Sequence, residues 1–208
     1  MMKSSELVAK VVDIAKHYKT LYVMGCFGAP LTDTNKSRYI KNHPYNMAAA
    51  RTSMIMAATP DTFGFDCVNL IKAVLWGWTG DKTKSYGGAK YATNGVPDEG
   101  ADTMIKRCKD ATASGWDKVD PGEVVWTTGH IGVYIGNGLA VECSPRWANN
   151  VQITAVGNIG KKNGYNVRMW KKHGHLPYVT YDKTVTPAQP ETCLLYTSPS
   201  PRDISGSR

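Results

Sequence analysis

The hydrophobic period of this chain changes once, near Pro121, from 3.6 residues to 2, and no other feature restricts the available folds so strongly. Before that point apolar residues fall at helical spacing. Leu7, Val11, Ile14, Ala15 and Tyr18 share one face, which predicts an amphipathic helix over 5–18 with Ser4 as its N-cap. Ile71, Val74, Leu75 and Trp78 repeat in the same way after Cys67 and predict a buried helix ending near Gly80. "ADTMIKRCKDA" at 101–111 predicts a third, short one. Residues 30–62 are polar and irregular, with a short helix around 46–57, and have the character of an insertion or lid; 81–100 is a Gly-rich loop. Beyond Pro121, "EVVW", "HIGVYI", "LAVECS", "VQITAV" and "VRMW" alternate like short strands, with turns at Thr127–Gly129, Gly136–Gly138, Asn149-Asn150 and Lys161–Gly164. Helices followed by an antiparallel meander make an α+β fold.

At 208 residues, 42% apolar and 20% charged, the chain has material for one compact core, expected over residues 1–181. Residues 182–192, "DKTVTPAQPET", are polar and proline-bearing, as a linker is. The segment after it, "CLLYTSPSPRDISGSR", reads as the translation of a transposase-type sequencing-library adapter, so Cys193–Arg208 is expected to be foreign to the natural protein.

A formal charge of +8 suits a polyanionic partner, but the 25 Lys and Arg are scattered without the clustering that nucleic-acid binding requires. No segment approaches the ~20 apolar residues that span a bilayer, and the N-terminus lacks a signal-peptide pattern. Five cysteines without C-x-x-C spacing indicate free thiols, neither a zinc site nor a disulfide framework. The His173-Gly174-His175 pair is expected to be surface decoration, with no metal called for.

One of those cysteines stands apart. Cys67 follows a Gly-Phe-Asp turn and opens the second helix, where unpaired N–H groups and the positive end of the macrodipole favour thiolate over thiol. A thiol nucleophile needs a base and an orienter for that base. His130 opens a strand after a Gly-bearing turn, so its ring can face a cleft; the alternative is a strand-end histidine without a role. Gly132 and Tyr134 share its face. Glu142 joins that face if the Gly136–Gly138 hairpin carries an odd loop length or a bulge; a two-residue loop alone would flip it away.

Taken in order, "LYVMGCFG", "FDCVNLIK", "DPGEVVWTTGHIGVYIGNG" and "VEC" resemble the motifs of NlpC-type cell-wall cysteine peptidases and their CHAP relatives, in the papain-like superfamily. The resemblance spans about residues 5–180. It departs from the family at Val68-Asn69, where small residues are usual, and at Cys26-Phe27, and by a longer segment between Tyr22 and Cys67. It implies a papain-like fold with N-terminal helices packed on the sheet, Cys67 as nucleophile, His130 as general base, Glu142 as its orienter, and Tyr22 and Asp66 lining the substrate cleft. The implied activity is hydrolysis of an amide in the stem peptide of bacterial cell-wall peptidoglycan, as a D,L-endopeptidase; an N-acetylmuramoyl-L-alanine amidase of CHAP type and a non-catalytic wall-binding module are the alternatives. The same resemblance implies a monomer without cofactor or membrane anchor. Such a protein would be made in the host bacterial cytoplasm and act on the wall after release, as a phage endolysin does.

Overall fold

The computed structural model describes residues 1–182. The chain begins with β1 (Met2–Lys3) and α1 (Ser4–His17), then forms β2 (Thr20–Tyr22) and β3 (Phe27–Pro30). Three helices follow: α2 (Asp33–Asn42), α3 (Pro44–Met47) and α4 (Ala49–Ala57). β4 (Phe63–Phe65) leads directly into α5 (Cys67–Leu75), and α6 (Ala101–Arg107) closes the helical half. The strands β5 (Val124–Thr127), β6 (His130–Gly136), β7 (Leu139–Ser144), β8 (Asn150–Val156), β9 (Val167–Arg168), β10 (Lys172–Gly174) and β11 (Val179–Thr180) complete the described chain. The class is α+β, as the change of period implies.

The large sheet has the order β10-β5-β6-β7-β8-β9. It is antiparallel from β10 to β8, but β9 pairs parallel to β8, so the meander does not run antiparallel to its end. Alternation divides each central strand. Ile131, Val133 and Ile135 of β6, with Leu139, Val141 and Cys143 of β7, enter the main core alongside α1 and α5. Tyr134 and Ala140 face the opposite side, where Val125, Val156 and Trp170 form a smaller cluster. Every residue of α5 is buried. Burying side chains such as Leu70, Ile71 and Val74 contributes about 1.5–3 kcal/mol each, enough to fix this helix firmly against the sheet.

Several expectations are corrected. Residues 30–62 form three helices, not an irregular lid. Their sequence looks irregular because polar groups fill the inward positions: Lys36, Asn46 and Arg51 are buried through hydrogen bonds to Met56, Met24, Tyr39 and Tyr22 backbone carbonyls. A three-stranded sheet in the order β2-β4-β3 also went unforeseen, since each strand is too short for its alternation to show. α5 ends at Leu75, well before Gly80. Ser4 does not cap α1; Lys3 holds the cap position, and Ser4 and Ser5 donate their hydroxyls to Asp182 at 2.8 Å each. Asp182, the first residue of the expected linker, is thus tied to the start of α1. The rest of the expected linker and the whole Cys193–Arg208 segment lie outside the described residues. Among the described residues no helix is long and apolar enough to cross a membrane.

Candidate active site

The start of α5 is built by Asp66. One oxygen of its carboxylate accepts from the Asn69 N–H at 2.8 Å; the other accepts from Asn69 Nδ2 at 2.7 Å and from the Gly25 N–H at 2.8 Å. The side chain thus caps the helix and ties the β2–β3 turn to it. Gly25 has φ +79, and a Cβ there would run into the His43 ring, so only glycine lets the turn pass. Burial raises the Asp66 carboxyl above its ordinary range despite its three donors. It lines the cleft in front of Cys67, with its hydrogen-bonding capacity spent on its own chain.

Cys67 sits one residue on, 7% exposed. Its Sγ is 3.9 Å from the Gly129 carbonyl and meets the Ile131 N–H, so the sulfur rests on the backbone at both sides of His130. The expectation of a thiol made acidic by the helix start is not met. Burial pushes the Cys67 thiol up to about 12, with the Asp66 carboxylate adding to it, while the N–H groups of Ile131, Val68 and Cys67 pull the other way. Loss of hydration outweighs the helix-terminal donors, and the resting group is a neutral thiol.

Glu142 reaches the His130 face by the bulge, one of the two routes open to the hairpin. Positive φ at Asn137 and Gly138 makes a two-residue turn, with Gly136 opposite Leu139. A bulge at Ile135 then shifts the register, so that Tyr134 pairs with Ala140 and Val133 with Val141. One residue further along, Gly132 stands opposite Glu142. The Glu142 carboxylate accepts from His130 Nε2 at 2.7 Å, Thr154 Oγ1 at 2.7 Å and Arg168 Nε at 2.8 Å, is ion-paired with Arg168 Nη2 at 2.7 Å, and is fully buried. Burial opposes its ionisation, but the hydrogen bonds and charges of His130 and Arg168 hold it below its ordinary 4.5. The His130 ring stacks on Trp170 at 5.6 Å and 9°. Its Nδ1 is the nitrogen that Glu142 leaves free. Among the described residues no hydrogen bond joins Cys67 to His130.

A cleft of about 490 Å³ opens in front of Cys67. Tyr22 lines it, with its hydroxyl donating toward the Met24 sulfur at 4.0 Å; burial, then the neighbouring Cys67 and Asp66, raise its phenol so that it serves only as a neutral donor. The other wall carries Asp98, Glu99 and Asp102. None of these three was singled out from sequence, nor were Arg168, Thr154 and Trp170. Alternation in "VRMW" placed Arg168 and Trp170 on one face and was the available signal.

The His173/His175 pair is not surface decoration. His173 is buried, with Nδ1 at 2.6 Å from Glu123 and Nε2 at 2.8 Å from the Ser114 carbonyl. His175 lies between Asp110 and Asp120. Asp120, Glu123 and His175 bring ligand-type atoms within 4.8 Å of one another; His175 Nε2 lies 3.2 Å from Asp120 Oδ2, while Glu123 is bonded to His173 and to the Asp120 N–H. The four described cysteines are free.

No protein-family model and no curated protein matches the sequence. Among solved structures, the chain is similar to the P60 domain of an antigen from M. avium subspecies paratuberculosis, at 18% identity and TM-score 0.39, over 82% of this chain and 93% of that one. At that level of similarity the function has to be argued from the residues themselves.

Proposed function

We propose that this protein is a cysteine hydrolase of bacterial peptidoglycan that opens an amide of the stem peptide as a D,L-endopeptidase. One observation carries the reading: a thiol at a capped helix start, in an open cleft, rests on the backbone flanking a histidine whose far nitrogen is held by a buried, fully hydrogen-bonded carboxylate. Because the resting thiol is neutral, its proton leaves during attack. His130 Nδ1 takes that proton as Sγ bonds to the amide carbon, and the carbonyl electrons move onto oxygen. Backbone N–H groups at the start of α5 face the oxyanion. The C–N bond then breaks, His130 gives its proton to the leaving amine, and a thioester remains. Water attacks the thioester, with His130 again taking a proton and returning it to sulfur. Glu142 keeps the ring in one tautomer and balances the imidazolium formed at each step.

Mass spectrometry of fragments released from purified peptidoglycan tests the proposal. A new free amine on the diamino acid is the expected product. A released L-alanine amine would replace the endopeptidase assignment by an amidase, and the absence of any fragment would leave a wall-binding module instead.

A further inference from the structure

Asp102, in the first turn of α6, lies 28 residues before His130 and touches neither it nor Cys67 through any described hydrogen bond. Its Oδ1 nevertheless accepts from two groups of the β5–β6 corner: the Gly129 N–H at 2.7 Å and the Trp126 indole N–H at 2.8 Å. Gly129 is the residue whose carbonyl meets the Cys67 sulfur, and the next residue is His130. A Cβ at Gly129 would meet nothing within 4 Å, so the corner is not held by packing at that point. The other side-chain tie to it, Lys171 Nζ to Thr128 Oγ1 at 2.8 Å, is solvent-exposed like the two Asp102 bonds, but it holds Thr128 through its side chain and not the Gly129 backbone. Two short hydrogen bonds converging on one oxygen fix direction as well as distance. The second oxygen, Oδ2, has no hydrogen-bond partner among the described residues, and Asp102 lines the cleft.

We infer that Asp102 is a positioning residue: through the Gly129 N–H it sets the corner that aims His130 at the Cys67 sulfur. This rests on the proposed role of Cys67 and His130. The role belongs to the acceptor oxygen, not to the charge, so an amide oxygen at the same place can fill it. It also belongs to the Gly129 bond, not to the indole bond beside it.

Three variants separate these statements. Asp102→Ala removes the acceptor, Asp102→Asn keeps an oxygen without the charge, and Trp126→Phe removes only the indole donor. Wall lysis gives kcat and KM, and the rate of iodoacetamide alkylation at Cys67 across pH, located by peptide mapping, reports the cysteine–histidine pair without requiring any substrate. Asp102→Ala is expected to lose about 10²-fold in kcat with little change in KM, because misplacement of about 1 Å has that effect. Its Cys67 alkylation should also shift its pH profile toward that of His130→Ala. Asp102→Asn and Trp126→Phe should both stay near wild type in kcat and in alkylation profile. An alkylation profile for Asp102→Ala identical to wild type, in a protein with unchanged melting, overturns the inference; so does an Asn variant as impaired as the Ala one. If the wild type lyses no wall, the proposed function falls, while the alkylation profiles still decide the role of Asp102.

Discussion

At the scale of single residues, the Glu142 carboxylate sets the terms for the site. It is fully buried and ionised, which is tolerable only because His130, Thr154 and Arg168 supply donors to both oxygens. Its carboxyl is held below its ordinary 4.5, so its contribution to stability is complete above that value and is lost as pH falls through the lower folded-state value. Arg168→Ala removes the permanent cation. It should destabilise the fold by about 3–5 kcal/mol at neutral pH and move acid unfolding to higher pH, as urea titrations at pH 7 and pH 5 would read. An unchanged acid limb in that variant would show that Arg168 does not hold the charge. Cys67 and Glu142 were recognisable from sequence because each sits at a defined place in a periodic element. Arg168 was not, since alternation in "VRMW" sets only its face, and a two-residue strand does not show that the face meets Glu142. The thiol's raised pKa was likewise hidden, because burial is a property of the assembled fold.

At the scale of elements, the β6–β7 hairpin decides whether a site exists. Its two-residue turn would carry Glu142 to the core face; the Ile135 bulge returns it to the side of His130. The sequence left these possibilities open, since a bulge has no fixed residue signature when glycine stands at several nearby positions. Gly132 shows how little room the arrangement leaves: a Cβ there would lie 2.8 Å from the Val141 carbonyl and 3.3 Å from both Glu142 and Trp170. Gly132→Ala should therefore cost about 1–3 kcal/mol and disturb the platform behind His130. Thermal melting together with wall lysis would check this, and a variant with wild-type melting and activity would mean that the strands can separate locally at no cost. The helices α2 to α4 show where periodicity stops being informative. Their inward positions are polar and satisfied by backbone carbonyls, a pattern that hydropathy cannot distinguish from a loop.

At the scale of the whole molecule, charge and burial are unevenly distributed. The chain is +8 overall, yet its cleft is lined by Asp66, Asp98, Glu99 and Asp102 against Lys72. Sequence could show the excess but not this segregation, because the acidic lining is drawn from separate stretches of the chain. The buried thiols have a consequence of their own. Burial pushes Cys26, Cys67 and Cys108 up to about 12 and Cys143 well above its ordinary 9.0. The native state keeps these protons above pH 9 while the unfolded chain releases them, so the unfolded state binds fewer protons and stability falls as pH rises. The unfolded thiol is only half ionised at pH 9, so each contributes about 1 kcal/mol over this interval, or roughly 4 kcal/mol together between pH 9 and pH 10. Urea titrations at these two pH values, under reducing conditions, should show a loss of that order; equal stability at both would contradict the burial of the thiols as ionisable groups.

The central claim is that the sulfur of Cys67 is the nucleophile, and one comparison addresses it most directly. Purified bacterial cell walls are incubated with the wild-type protein and with Cys67→Ala, both shown to be folded by their melting curves, and turbidity is followed with time. The account predicts clearing by the wild type and none by the variant; clearing by the alanine protein at a comparable rate would contradict it.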